Sequence, residues 1–240
     1  MTEDDFRLYA KYYDQIYLDM KDYGKEAKTV ESIVRKFESR KSETLLDVGC
    51  GTGEHLKYLS LSFKCAGIDI NRGMIQTARD KVLNARFRVA NMVDFRLAER
   101  FDVITCLFSA IGHVQTFDNL VQTIRNFHNH VAQGGLVIVE PWLFKKDFEK
   151  GYIGMNTYKD ENVKLARMAT SEMTVSKWII YMHYLIGEKG KIKYSTETHE
   201  MLASDCEDYA EAFKSAGFEN VKFLTDNLWD GCRGLFVTKK

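Results

Sequence analysis

The chain of 240 residues has one proline, five cysteines and no net charge. Because Lys plus Arg and Asp plus Glu both number 34, no basic excess indicates a nucleic-acid partner. No apolar run approaches the length of a membrane span, and the acidic start at 1–5 is unlike a signal peptide. The cysteines are scattered and never spaced as Cys-x-x-Cys, which argues against a metal site and a disulfide framework. These absences predict a cytoplasmic protein without a metal, whose partner is a small molecule and neither nucleic acid nor a membrane.

The most informative segment is a short apolar strand that leads into closely spaced glycines and then into a helical pattern. The glycines are Gly49, Gly51 and Gly53, and Asp47 stands two residues before the first of them. Glycine has no Cβ and tolerates positive φ, so the backbone can turn sharply and a ligand can lie against it. Asp69 ends the next apolar run and can accept hydrogen bonds from both hydroxyls of a ribose. The segment therefore predicts a nucleoside pocket.

The glycine spacing separates the classes of nucleotide-binding loop. A phosphate-binding loop requires a Lys-Ser or Lys-Thr pair after its last glycine, and none follows Gly53. A dinucleotide fingerprint requires Gly-x-Gly-x-x-Gly, which is missing at this position. The Asp-x-Gly-x-Gly-x-Gly pattern instead closely resembles the first motif of class I S-adenosylmethionine-dependent methyltransferases. The resemblance implies S-adenosylmethionine as the methyl donor and S-adenosylhomocysteine as the product; the alternative is a glycine-rich turn with no ligand.

Strands and helices alternate between residues 44 and 140. This alternation predicts a doubly wound α/β fold with a seven-stranded, mainly parallel sheet, completed by a hairpin near the C-terminus. Runs of β-branched and aromatic residues between 163 and 202 predict three or so antiparallel strands in a small added sheet. We assign 1–140 and 203–240 to a methyltransferase domain with an N-terminal helical cover, and 141–202 to an inserted substrate-side subdomain. The added sheet either covers the substrate pocket or builds a contact between two copies of the chain in a homodimer.

A tyrosine-rich segment between Phe6 and Tyr17 lies upstream of a helix predicted at 22–39. The segment either packs an aromatic face on the core or covers a small-molecule pocket, where tyrosine hydroxyls would meet polar groups of the ligand. A single helix can do both.

Polar residues follow the predicted strands at the edge where ligands bind in such sheets. Asn91 and Met92 follow the third strand, and Ser109 and His113 follow the fourth. His113 is the best candidate for a general base, since an imidazole can take a proton from an ammonium near neutral pH. The alternative is a histidine that bonds to the backbone or only contacts the substrate. The methyltransferase resemblance implies that Asn91 meets the exocyclic amine of the donor's adenine and that Met92 lies on the adenine ring. For Asn91, the alternative is a side chain that caps a turn.

Five local strings carry a narrower resemblance. They are Tyr12-Tyr13-Asp14, Lys21-Asp22-Tyr23, Ser109-x-Ile111-Gly112-His113, Val139-Glu140-Pro141-Trp142-x-Phe144 and Arg233-Gly234-Leu235-Phe236. Together these strings span nearly the whole chain and are similar to the N,N-dimethyltransferases that finish amino-sugar nucleotides. The chain departs from that group at Asn91, where many relatives have aspartate, and at Cys232, where the sugar enzymes tend to have glycine.

The resemblance implies roles for individual residues. On the donor side it implies Tyr13, Asp47, Gly49, Cys50, Gly51, Gly53, Asp69, Ile70, Asn91, Met92 and Phe108. On the substrate side it implies Tyr17, Ser109, His113, Trp142 and Arg233. Arg233 would meet an anionic group such as a sugar-nucleotide pyrophosphate, and the planar guanidinium suits phosphate geometry.

The sequence therefore predicts an S-adenosylmethionine-dependent methyltransferase that acts on a small-molecule amine, with the amino group of a nucleotide-linked deoxysugar as the narrowest expectation. One alternative is an N- or O-methyltransferase of another metabolite, such as an amino acid or a polyketide intermediate. The other is a nucleoside-binding protein without turnover, because binding motifs establish binding better than catalysis.

Overall fold

The computed structural model describes residues 3–18 and 20–240, with side chains from Ala10 onward. The helices are α1 Glu3–Tyr17, α2 Tyr23–Phe37, α3 Glu54–Leu59, α4 Arg72–Lys81, α5 Phe117–His130 and α6 Cys206–Ser215. The strands are β1 Thr44–Val48, β2 Lys64–Asp69, β3 Arg86–Val89, β4 Phe101–Cys106, β5 Val131–Val139, β6 Ile153–Lys159, β7 Val163–Met173, β8 Lys177–Glu188, β9 Lys191–Leu202, β10 Lys222–Leu224 and β11 Leu235–Lys239. In the described part of the chain, no helix is long and apolar enough to cross a membrane.

The main sheet has seven strands in the order β10-β11-β5-β4-β1-β2-β3. The five strands from β3 to β5 are parallel, while β11 runs antiparallel to β5 and β10 antiparallel to β11. The strand order reverses between β1 and β4, which makes their carboxyl ends the expected place for a ligand. The structure confirms the predicted seven-stranded, mainly parallel sheet.

Helices cover both faces of the main sheet because each presents an apolar stripe to it. On one face, Val30 of α2, Leu56 of α3 and Ile75 of α4 belong to a single buried cluster. On the other face, Phe127 of α5 and Phe213 of α6 belong to a second buried cluster. The doubly wound arrangement predicted from the strand–helix alternation is therefore confirmed.

The second sheet consists of β6 to β9 in sequential antiparallel order. It contains one strand more than the three or so predicted: β6 includes Gly154 and Asn156 and lacks a run of β-branched residues, so its sequence did not indicate a strand. A small apolar cluster that includes Ile16, Leu165 and Ile186 joins this sheet to α1. The proposed division of the chain into 1–140 with 203–240 and 141–202 stays a prediction.

Candidate active site

A cavity of about 910 Å3 opens at the carboxyl ends of the main-sheet strands, between the glycine loop and strands β8 and β9. Most of the predicted site residues line it, namely Tyr13, Tyr17, Gly49, Gly51, Asp69, Ile70, Asn91, Met92, Phe108, Ser109, His113 and Trp142. Four others do not: Asp47, Cys50, Gly53 and Arg233. The structure therefore brings the donor-side and acceptor-side predictions together around one space.

The glycine loop turns sharply between β1 and α3, and its glycines have positive φ angles of 75° at Gly49, 53° at Gly51 and 80° at Gly53. A Cβ added at Gly49 would lie 2.6 Å from the Cβ of Ala110, so only glycine fits there. A Cβ added at Gly51 would meet no protein atom within 4 Å. The loop thus leaves bare backbone at the cavity wall, where a ligand can lie close against it.

Asp69 lies at the end of β2 and organises the donor side of the cavity. Its Oδ2 accepts the backbone N–H of Gly51 at 2.9 Å, and its Oδ1 accepts that of Asn71 at 2.8 Å. Burial raises the pKa of this carboxyl, while the backbone N–H groups of Asn71, Gly51 and Ile70 oppose the shift. A carboxylate offers about four lone-pair sites, so Asp69 keeps acceptor capacity for a ribose. The geometry fits the predicted ribose contact.

Three predicted donor-side residues support the loop from behind. Asp47 is buried and accepts the hydroxyl of Thr105 at 2.8 Å, and burial raises its pKa to about 6. The Cys50 sulfur lies only 2.8 Å from where a Cβ at Gly67 would be, on the core side of the loop. Gly53 is the N-cap of α3. Direct donor contacts by these residues stay predictions, and the structure gives each a supporting position.

On the side predicted for adenine, Met92 and Asn91 line the cavity beyond β3. The side-chain oxygen of Asn91 accepts the backbone N–H of Val93 at 3.0 Å, which is the turn-capping geometry expected as the alternative. The oxygen keeps one lone pair for an exocyclic amine. The cap and the predicted adenine contact are therefore compatible.

The turn after β4 is held in an uncommon conformation. Phe108 and Ser109 have positive φ angles of 50° and 60°, which non-glycine residues adopt rarely and at an energetic cost. The carboxylate of Glu140 accepts the backbone N–H of Phe108 at 2.6 Å, and the Ser109 hydroxyl donates to the Pro141 carbonyl at 2.9 Å. The Glu-Pro pair at the end of β5 thus stabilises the turn that leads to His113. Glu140 belongs to one of the five strings named above, but nothing in the sequence indicated that it stabilises this turn.

Helix α1 packs on the second sheet and also covers the cavity, so both alternatives for the tyrosine-rich segment apply. Tyr13 and Tyr17 line the cavity, and the Tyr17 hydroxyl accepts from Arg167 at 2.6 Å. Asp14 ties the helix to the donor side, since it accepts the Thr52 hydroxyl at 2.6 Å and pairs with a lysine of α4. The side chains of Phe6 and Tyr9 lie outside the described residues. The role of Asp14 was missed by sequence reasoning.

His113 lies in a short 3-10 turn, Ala110–Val114, beside the cavity. Burial, and then the neighbouring imidazole of His199, lower the pKa of His113 to about 4. The two ring centroids are 5.6 Å apart. His113 is therefore neutral at physiological pH and presents an imidazole lone pair, as a proton acceptor requires.

Two cavity-lining residues on β9 were not among the predicted site residues. Glu197 is almost completely buried and accepts the Tyr184 hydroxyl at 3.1 Å, and His199 Nε2 lies 3.3 Å from Glu197 Oε2. The available sequence signal was their alternation, since residues two apart on a strand share a face. On β8, the cavity-lining residues Ile180 and Met182 pair with His199 and Glu197, so each of these two polar residues has an apolar neighbour across the strand pair.

Trp142 and Arg233 occupy different surroundings. Trp142 lines the cavity and packs edge-on against Trp178, with ring centroids 5.9 Å apart. Arg233 is about half exposed and forms an ion pair with Asp147 at 3.0 Å. A contact between Arg233 and substrate stays a prediction, since the side chain would have to exchange this partner for a phosphate.

Comparisons with known proteins agree with this geometry. A family model described as a methyltransferase domain matches residues 45–135, which include the glycine loop, Asp69 and His113. The chain is 35% identical over 231 residues to dTDP-3-amino-3,6-dideoxy-alpha-D-glucopyranose N,N-dimethyltransferase from Streptomyces fradiae, with 95% of this chain and 89% of the relative covered.

Two solved structures share the whole fold. DesVI from Streptomyces venezuelae superposes with a TM-score of 0.88 at 30% identity, covering 96% of this chain and 97% of the other. CalS10, an amino pentose methyltransferase from Micromonospora echinaspora with S-adenosylmethionine bound, superposes with a TM-score of 0.84 at 29% identity, covering 97% and 96%.

The cavity residues fit S-adenosylmethionine. Bare backbone at Gly51 and the carboxylate of Asp69 suit a nucleoside, and the aromatic and apolar residues Tyr13, Met92 and Phe108 suit the rest of the donor. Because the first of these relatives exceeds 30% identity over nearly the full length of both chains, the family is established. The chain belongs to the S-adenosylmethionine-dependent methyltransferases, within the group that includes the N,N-dimethyltransferases of nucleotide-linked amino sugars.

Proposed function

We propose that this protein methylates the amino group of a nucleotide-linked deoxysugar. The observation that carries the proposal is that one cavity joins a nucleoside-binding edge at Gly51 and Asp69 to a neutral imidazole at His113. Three relatives of similar length, each more than 30% identical to this chain, are named as dTDP-amino-sugar N,N-dimethyltransferases, and their names supply the substrate class. When S-adenosylmethionine is bound, its sulfonium supplies an activated methyl group, so the protein mainly positions the reactants.

The residues of the chain divide the remaining tasks. Asp69 orients the donor through its ribose, and Phe108 and Trp142 bound the space between donor and acceptor. His113 accepts a proton from the substrate ammonium, which frees the amine lone pair; without this step the nitrogen cannot act as a nucleophile. Arg233 exchanges Asp147 for the substrate pyrophosphate, where a charge-assisted pair of hydrogen bonds favours phosphate. A cytoplasmic location and a homodimer stay predictions.

A panel of acceptors tests the proposal. Purified protein with S-adenosylmethionine should release S-adenosylhomocysteine with a dTDP-linked amino deoxysugar, and mass spectrometry of the sugar should count the methyl groups. The matched control is the corresponding hydroxy sugar nucleotide, which should give no product. Turnover only with amino acids or other metabolites would contradict the substrate class, and tight donor binding without turnover of any acceptor would contradict the enzyme assignment.

A further inference from the structure

Two polar side chains of the second sheet face the cavity beside the turn that carries His113. Glu197 and His199 stand two residues apart on β9, so their side chains share one face. His199 Nε2 lies 3.3 Å from Glu197 Oε2, and the His199 ring centroid lies 5.6 Å from that of His113. All three residues line the cavity. They form one cluster of titratable groups on the acceptor side, and we call it the Glu197–His199–His113 cluster.

An amine that enters as an ammonium has to lose a proton before its lone pair can react. His113 holds such a proton poorly, because burial and the second imidazole lower its pKa to about 4. At neutral pH the His113 side chain is therefore in its neutral form. His199 has different surroundings, because Glu197 Oε2 lies 3.3 Å from its Nε2 and a carboxylate oxygen can accept a hydrogen bond from a ring N–H.

We propose that His199, paired with Glu197, is the final acceptor of the proton that the substrate amine loses, which makes His199 a second catalytic residue. This inference rests on the proposed function. The N–H bond of the ammonium breaks, and its electron pair stays on nitrogen as the attacking lone pair. The proton bonds to an imidazole nitrogen, passes from His113 to His199 directly or through one water, and is released to bulk water between turnovers.

The neighbouring groups hold the pair in place. Tyr184 of β8 donates its hydroxyl to Glu197 Oε2 at 3.1 Å, and the same oxygen faces His199. Arg167 of β7 is paired with Tyr184 in register and donates to the Tyr17 hydroxyl of α1 at 2.6 Å. The hydroxyl of Tyr184 therefore fixes the carboxylate oxygen beside the imidazole, while the guanidinium is engaged by α1.

The kinetic test compares His199→Asn and Glu197→Gln with the wild type across a range of pH. At pH 7 each variant should lower kcat on the order of 10²-fold, the usual scale of general acid–base help. The deficit should shrink as the pH rises above the pKa of the substrate amine, because the amine then enters neutral and no proton acceptor is needed. A ratio of variant to wild type that stays constant with pH would show a structural role and overturn the proposal.

Two further variants extend the test. Tyr184→Phe removes the hydroxyl that holds the Glu197 carboxylate and leaves both members of the pair, so its deficit should be smaller than that of Glu197→Gln and should shrink with rising pH in the same way. His183→Asn replaces an exposed histidine of β8 that bonds to Tyr194, and its activity should match the wild type. Calorimetry with S-adenosylmethionine should give the same affinity for all four variants, which confirms an intact donor side.

A second measurement needs no turnover. Histidine ring signals followed by NMR should show that the His113 titration midpoint rises in His199→Asn, because the repulsion from the second ring is lost. An unchanged midpoint would show that the rings are not coupled and would overturn the proposal. If the wild type does not methylate any amino sugar nucleotide, the proposed function fails, and the NMR titration alone decides whether the two imidazoles are coupled.

Discussion

Replacing Asp69 is the sharpest test of the donor site. Asp69→Ala removes two hydrogen bonds from ribose hydroxyls to an ionised carboxylate, and bonds to charged groups contribute about 1.5–3 kcal/mol each. Water replaces part of this loss, so we expect donor binding to weaken by about 2–4 kcal/mol. This corresponds to a rise in the Kd for S-adenosylmethionine of about 30- to 700-fold.

The structure adds a second cost to this substitution. The same carboxylate holds the backbone N–H groups of Gly51 and Asn71, so the alanine variant also loses the contact that shapes the glycine loop. Asp69→Asn places an NH2 group against one of these two N–H donors, and it should therefore weaken donor binding too. We expect the asparagine variant to fall between the wild type and the alanine variant.

Isothermal titration calorimetry measures the effect, and Asp102→Asn is the matched control. Asp102 also accepts two backbone N–H groups, those of Glu43 and Thr44, both at 3.0 Å, but it lies at the start of β4, away from the cavity. The control should lower stability and leave the donor Kd unchanged. If a folded Asp69→Ala protein binds S-adenosylmethionine as tightly as the wild type, the ribose assignment is refuted.

Three further predictions concern the acceptor side and the core. His113→Ala should lower kcat by about 10²-fold at neutral pH; a kcat within a few-fold of the wild type with the same pH profile would exclude the base role. Arg233→Ala should raise the KM for a sugar nucleotide about 10- to 100-fold and leave donor binding intact, whereas Asp147→Asn should not raise this KM. If steady-state assays give the same KM for Arg233→Ala and the wild type, the phosphate contact is refuted. Because the folded-state pKa of Asp47 is raised to about 6 from 3.8, its burial costs stability above that range, and the cost disappears as the pH falls from about 6 to below 4. If its amide oxygen still accepts the Thr105 hydroxyl, the Asp47→Asn variant should be more stable than the wild type by up to about 3 kcal/mol at pH 7. Below pH 4 the two proteins should be equally stable. Equal urea denaturation midpoints at pH 7 would contradict this prediction.

The donor side could be predicted from the sequence because its signals are local. Glycines at 49, 51 and 53 and the acid at the end of β2 stand in fixed relation to strands and helices, and the parallel topology brings strand ends to one edge. The acceptor side depends on contacts between distant segments. His199 lies near His113 only because β9 packs against the 3-10 turn, and nothing in the local sequence around either residue indicates that packing.

Glu140 shows the same limit in another form. The sequence shows that an acidic residue follows β5. It does not show that this carboxylate accepts the backbone N–H of Phe108, because that contact depends on the positive φ angles of Phe108 and Ser109, which no local pattern predicts for non-glycine residues. Arg233 shows the converse case. A resemblance suggested a phosphate contact, and the structure reveals a competing carboxylate, Asp147, which the sequence places far away in the chain.

Two separate parts of the chain build the cavity, so related proteins can come to use different acceptors through substitutions in only one of these parts. The wall that we propose faces the acceptor comes largely from one contiguous hairpin, β8 and β9, whereas the wall that we propose faces the donor comes from loops after β1 to β4. Substitutions on the hairpin can therefore accumulate without disturbing donor recognition. The two walls meet where Met201 of β9 packs against Gly112 of the 3-10 turn after β4, since a Cβ at Gly112 would lie 2.7 Å from the methyl carbon of Met201. A lineage that adopts new acceptors should vary on the hairpin outside Glu197 and His199 and keep this junction unchanged.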